Sequence, residues 1–199
     1  MGRLAMVLRS GLMLVFLDFE ASSLAKKSYP IEVAWVFEDG RSEAHLIRPA
    51  PEWTDWDPAA EAIHHIPHAT LLAEGTPHDI VAARMVEELA GHDLLASAPS
   101  WDGKWLSVLL RAAGVDRRTL RLRDSDDAHR EIATAILAPL MPETDLANTV
   151  GDLLTLTDVR APDHTPEHRA LADAVEERER WCAVRAAALH LAAELRRGG

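Results

Sequence analysis

Three short stretches carry side chains suited to chemistry. Asp18-Phe19-Glu20 closes an apolar run that begins at Leu12. In an extended strand, residues i and i+2 point to the same side, so both carboxylates project together while Leu17 and Phe19 face the other way. Two acids side by side at the end of a buried strand repel each other and lose hydration. A hard divalent cation, which takes oxygen ligands, relieves both penalties. The plain alternative places Asp18 and Glu20 past the strand end, in solvent. The second stretch is Ser97-Ala98-Pro99-Ser100-Trp101-Asp102-Gly103-Lys104. It puts Asp102 where a strand ends and a helix begins, the edge at which open α/β sheets gather ligands; a helix N-cap aspartate fits the same place. The third is His168-Arg169-Ala170-Leu171-Ala172-Asp173-Ala174, read as the first turns of a helix started by Thr165-Pro166. Five residues turn a helix by about 500°, so His168 and Asp173 do not share a narrow face. They converge only if His168 reaches over from the helix entry. An imidazole accepts a proton near neutral pH, which is the task of a water-activating base. An amphipathic helix with a surface histidine is the plain alternative.

The elements that must position these groups follow from the apolar pattern. Leu12–Glu20 is short, continuous and apolar, as a central strand should be. Ile31–Glu38 alternates, with Ile31, Val33, Trp35 and Phe37 on one face. Asp39-Gly40 is a hairpin turn, and Ala44–Arg48 is the returning strand. Pro49–Asp57 is a loop, followed by a short helix over Pro58–Ile63. Helical spacing of Ile80, Val81, Met85, Val86 and Leu89 marks His78–Leu89. Asp93–Ala98 is a fourth strand, Gly103–Ala113 a helix, Thr119–Arg123 a fifth strand and Asp127–Leu137 another helix. Pro139–Asp163 has mixed character. A C-terminal helix over about residues 178–197 carries Trp181, Val184, Ala188, Leu191 and Leu195 at steps of 3, 4, 3 and 4. The order predicts an α/β sheet that opens with three antiparallel strands, continues with parallel ones and has helices on both faces.

Composition narrows the class. The chain has 199 residues, with 48% apolar and 27% charged, which excludes disordered and fibrous proteins and suits one domain. A net charge of −11 argues against a protein held on nucleic acid or membrane by a basic surface, yet leaves room for an enzyme that handles a polyanion through bound cations. The single cysteine, Cys182, excludes an internal disulfide framework and a Cys-rich zinc site and suits a reducing cytoplasm. Leu12–Leu17 behind Arg3 and Arg9 is interrupted by Asp18 and Glu20, so it reads as a strand rather than a signal sequence, and no membrane span is expected.

Taken together, Asp-x-Glu on a first strand, a mid-chain Asp at a helix start and His-x4-Asp on a late helix resemble the histidine subclass of DEDD-type 3′–5′ exonucleases. The resemblance covers about residues 12–180, and Glu61-Ala62-Ile63-His64-His65-Ile66-Pro67 is similar to that family's helix-and-turn segment after the third strand. It implies a ribonuclease H-like fold with a mixed five-stranded sheet. The whole chain, 1–199, would form a single exonuclease domain. It further implies two Mg²⁺ or Mn²⁺ ions held by Asp18, Glu20, Asp102 and Asp173, with His168 taking the proton from the water that attacks the terminal phosphodiester. The substrate would be the 3′ end of single-stranded DNA or RNA, the product a nucleoside 5′-monophosphate, and the protein a monomer or homodimer. Where the family often has Thr-Thr-Gly after its Asp-x-Glu, this chain has Ala21-Ser22-Ser23-Leu24, so Ser22, Ser23 and Leu24 are expected to touch the terminal nucleotide. The family's frequent Asn four residues before the second Asp is Ala98, and its common His-Gly pair is His64-His65. These departures bear on strand contacts and leave every metal and base position filled.

Competing readings remain on the residues alone. A nucleic-acid-binding or protein-interaction module could keep this fold and lack turnover, and a ribonuclease H-like endonuclease would use similar acids; His-x4-Asp favours the exonuclease. Arg117, Arg118, Arg121, Arg123 and Arg130 are interleaved with Asp116, Asp124, Asp126 and Asp127, which suggests a solvated mixed-charge face. His64, His65 and His68 lack a fourth zinc ligand at fitting spacing. Trp101 and Trp105 read as core before base-stacking, and Cys182 as a small buried residue.

Overall fold

The computed structural model describes residues 11–158 and 168–198. The chain opens with the expected meander: β1 (Leu14–Ala21), β2 (Pro30–Phe37) and β3 (Ser42–Arg48), each antiparallel to the one before. The β2–β3 turn closes through Asp39-Gly40. Gly40 takes a left-handed φ of 95° and the Asp39 carboxylate accepts the Arg41 amide, which is why this dipeptide turns the chain so tightly.

After β3 the chain crosses over through α1 (Pro58–His64) and α2 (His68–Glu74) to β4 (Thr76–Pro77), then α3 (His78–Leu89) leads to β5 (Asp93–Ala96). Next come α4 (Pro99–Ala112), β6 (Leu122–Asp124), α5 (Ser125–Leu137), α6 (Glu143–Thr157) and α7 (Ala170–Gly198). The sheet order is β4-β3-β2-β1-β5-β6, with β4 parallel to β3, β5 parallel to β1 and β6 parallel to β5. The sheet thus has six strands where the sequence predicts five. The added β4 is two residues long and contains Pro77, so neither alternation nor propensity marks it. Pro139–Asp163, mixed in the sequence, contains α6.

Helices cover both faces, as expected. Val15, Leu17, Phe19 and Ala21 of β1 join Val33, Trp35 and Phe37 of β2 in one core with α3 and α4. On the opposite face Phe16 and Leu95 meet Ala128 of α5 and Trp181 of α7. A further apolar cluster joins α5, α6 and the later part of α7 through Ala133, Leu137, Val150, Leu153, Val184 and Ala188. Cys182 packs half-buried at the edge of the Phe16–Trp181 cluster.

Three local expectations change. The last helix starts at Ala170 rather than near 178 and is continuous over 29 residues. His168 therefore precedes the helix instead of lying in its first turn, with a left-handed φ of 48°; Thr165-Pro166 lies outside the described residues. The helix α4 starts at Pro99, so Asp102 is in its first turn and Ala98 is the N-cap. Among the described residues no helix is long and apolar enough to cross a membrane.

Candidate active site

Strand parity places Asp18 and Glu20 on the α7 side of β1, in line with Phe16, whose ring meets Trp181 at 6.2 Å between centroids. Leu17 and Phe19 point the opposite way, into the α3–α4 core. Because α7 lies across β1 and β2, its first turn brings Asp173 down onto the acidic end of β1. One carboxylate oxygen from each of Asp18, Glu20 and Asp173 lies within 4.8 Å of the other two, and all three residues are half-buried. Among the described residues this is the group of three or more His, Cys, Asp or Glu side chains gathered closely enough to hold an ion.

Asp102 approaches from α4 and is 2% exposed. Backbone N–H groups of Phe19, Ala98 and Asp102 itself favour its ionised form, but burial outweighs them and pushes its pKa up to about 7. Its Oδ2 is buried without a hydrogen-bond partner. Burial is also the main force raising Asp18 well above the usual carboxylate range, followed by the charges of Asp102, Asp173, Glu20 and Glu32. Glu20 is pushed up to about 8, by burial first and then by Asp173 and Glu32, with Arg169 acting in the opposite sense. Carboxylates so placed either take up protons or share a cation. All donors are hard oxygens, and the orphaned Asp102 Oδ2 has capacity to accept; this donor set fits a Mg²⁺- or Mn²⁺-type ion. Asp102 and Asp173 both lie in the first turn of a helix, where the helix dipole favours negative charge.

Two groups missed by the sequence reading hold this site together. Glu32 is buried at 3% exposure in the middle of β2, directly cross-strand from Glu20. Its carboxylate accepts from the Arg169 guanidinium and, at 3.0 Å, from the Ala170 amide that begins α7. The signal was present: Pro30–Phe37 is otherwise apolar and every residue in it is buried, so its lone acid needed a partner. The alternating pattern assigned that position to a polar face. The other is Asp55. Its Oδ2 accepts from the hydroxyls of both Ser22 and Ser23, and the Ser22 Oγ also accepts the Tyr29 amide. Ser22 and Ser23 are buried at 0% and 5% exposure, so their side chains brace the loop after β1, while Leu24 is 70% exposed. His168, just before α7, is exposed.

The remaining candidates divide. Trp105 is buried and donates to Ser28 Oγ, whereas Trp101 is 39% exposed and stacks on it at 5.7 Å. Lys104 ties the loop to α4 through the Ala25 carbonyl and Ser28 Oγ. Arg123 pairs with Asp93 and Glu131. The three histidines do different jobs: His64 is buried and accepts the Ile66 amide at Nδ1, His65 is the left-handed cap of α1, and His68 packs on Trp56.

The fold recurs among solved structures. The chain is similar to Escherichia coli exonuclease I in a zinc-bound complex with single-stranded DNA, with a TM-score of 0.63 and 20% identity over 88% of this chain and 40% of that one. The same enzyme with a dA16 oligonucleotide gives 0.62 and 20% identity, covering 90% of this chain and 43% of that one. A moderately thermophilic exonuclease I from Methylocaldum szegediense gives 0.61 and 18% identity over 87% and 41%. The chain therefore shares the fold of the matched part of those proteins and spans about two fifths of their length. The sequence matches no protein-family model and no curated protein.

Proposed function

We propose that this chain is a divalent-cation-dependent 3′–5′ exonuclease of the DEDD type that removes nucleotides from single-stranded ends, acting as one domain over residues 1–199. The observation that carries the reading is the meeting of Asp18, Glu20 and Asp173 oxygens within 4.8 Å on an exonuclease I-like fold. Asp18, Glu20, Asp102 and Asp173 would hold two such ions, in each case Mg²⁺ or Mn²⁺. Bound there, such ions supply electrostatic stabilisation of the phosphodiester as negative charge builds on it.

The chain's own residues do the rest. The four acids fix where the scissile phosphate can sit, and burial behind Phe19 and the first turn of α4 limits water on that side. His168, exposed at the entry of α7, takes the proton of the attacking water at a ring nitrogen. The exposed Leu24 meets the terminal nucleotide, and Ser22 and Ser23 act through the backbone of the loop they brace. Single-stranded DNA is the substrate to test first, because the similar structures hold single-stranded DNA oligonucleotides; RNA is the second. The lone thiol suits a reducing cytoplasm.

The test uses single strands of DNA and RNA, labelled in turn at the 5′ and the 3′ end, with Mn²⁺ and then with EDTA. The reading expects labelled mononucleotide from the 3′-labelled strand, a shrinking ladder from the 5′-labelled one, and neither in EDTA. Internal cuts would indicate an endonuclease instead, and tight binding without cleavage a binding module. His168→Ala should lower turnover by roughly 10²- to 10⁴-fold while Mn²⁺ affinity holds; unchanged turnover removes His168 from the mechanism.

A further inference from the structure

We infer that Glu32 is the positioning residue for the base: by gripping Arg169 and the Ala170 amide it fixes the two residues that follow His168 at the entry of α7. The inference rests on the exonuclease reading and extends it to a residue outside the ligand set. Three observations support it. First, the hydrogen bonds that reach the Glu32 carboxylate come from the two residues after His168, through Arg169 Nε and Nη2 and the Ala170 amide. Second, His168 holds a left-handed φ of 48°, a conformation that a non-glycine residue keeps only when its surroundings impose it. The two residues that follow it are the ones Glu32 holds. Third, Glu32 is the register partner of Glu20 across β1–β2. A single rigid strand pair thus sets the distance between a metal-ligand candidate and the entry of α7, which carries His168 on one side and Asp173 on the other.

Stability alone is a poor reason for this carboxylate. The Glu32 carboxylate is buried and loses hydration that an apolar side chain would not, while its Arg169 partner is 46% exposed and screened by water, so the pair offers little net stability. Here the buried charge also faces Glu20 and Asp18, so it opposes the ionisation of the groups beside it. What only a carboxylate at this register provides is simultaneous acceptance from a guanidinium and a helix-entry amide. That geometry is directional and locks two consecutive residues at once.

The experiment is a double-mutant cycle on the full chain: wild type, Glu32→Gln, His168→Ala and the double variant. Each is assayed for kcat on a 3′-labelled single strand at saturating Mn²⁺, for Mn²⁺ affinity, for melting temperature and for amide exchange over residues 168–173. Glu32→Gln should lower kcat by roughly 10- to 100-fold, keep Mn²⁺ affinity within about 3-fold and quicken exchange in that segment. In the His168→Ala background the same change should cost less than about 3-fold, because both act through one group. Equal losses in both backgrounds, a loss that follows Mn²⁺ affinity, or unaltered exchange would each overturn the assignment. If Glu32→Gln does not fold, Arg169→Gln, on the solvent side of the same pair, runs through the cycle with the same criteria. A wild-type protein that releases no nucleotide refutes the exonuclease reading itself. An active wild type with an additive cycle refutes only the role of Glu32.

Discussion

The two faces of β1 put one strand to two uses. On the side of α3 and α4, Val15, Leu17, Phe19 and Ala21 are all buried in a continuous apolar core. On the side of α7 the residues change along the strand, from Leu14 and Phe16 to Asp18 and Glu20. The Phe16 end is closed by Trp181 and the acidic end by Asp173, two points on the same helix. Burial of hydrocarbon stabilises the first face. Carboxylates crowded together oppose folding on the second unless a cation joins them. Because side chains alternate, a step of one residue moves from the group of residues that holds the fold to the group that gathers the acids.

That division can be attacked at each face. The largest effect is expected from Asp18→Asn, which removes the acid that all the others surround. Activity should fall by at least about 10³-fold, while the metal-free melting temperature holds or rises, because a repulsive charge has gone. A matching collapse in stability would show that the acidic face also supports the fold. Leu17→Ala, one residue away, should do the reverse. Chemical denaturation should show a loss of about 2–5 kcal/mol, and the protein that stays folded should bind Mn²⁺ as wild type does.

A third, smaller effect is electrostatic. Glu20 has a folded-state pKa of about 8 against an ordinary 4.5, so the folded form binds its proton more tightly than the unfolded form does. Its contribution to metal-free stability is complete below about pH 4.5 and is lost as pH rises through 8. Thermal melts should therefore show Mn²⁺, at a hundred times its Kd, raising Tm by roughly 5–10 °C at pH 8. At pH 5 the rise should be smaller, because protons compete for the same oxygens. Equal rises at both pH values would mean that these carboxylates are not the ligands. The smallest effect lies away from both faces: His65 caps α1 at a left-handed φ of 56°, so His65→Gly should stabilise by up to about 1 kcal/mol in urea titrations and leave Mn²⁺ affinity alone.

Much of this was legible in the sequence, and what was not shares a cause. The apolar run ending in Asp18-Phe19-Glu20 announced both the strand and the common side of its acids, since strand parity is a property of consecutive residues. The Asp39-Gly40 turn and the helix His78–Leu89 were equally local. Glu32 stood out as the lone acid of an apolar strand, but its partner was not legible, because Arg169 lies far along the chain. The bracing role of Ser22 and Ser23 was hidden for a related reason. Their hydroxyls face Asp55, and nothing in Ala21-Ser22-Ser23-Leu24 shows whether a hydroxyl points outward or into a brace.

By itself the sequence determined most of the element order and the side of β1 that bears charge, both matters of short-range periodicity and residue chemistry. Only the tertiary structure decided that α7 crosses β1 and brings Asp173 within reach of Asp18 and Glu20. The same packing sets His168 outside the helix rather than in its first turn, and joins Glu32 to the helix entry. Those facts concern distances between residues remote in sequence, and such distances arise only when the helices settle on the sheet and bury its apolar faces.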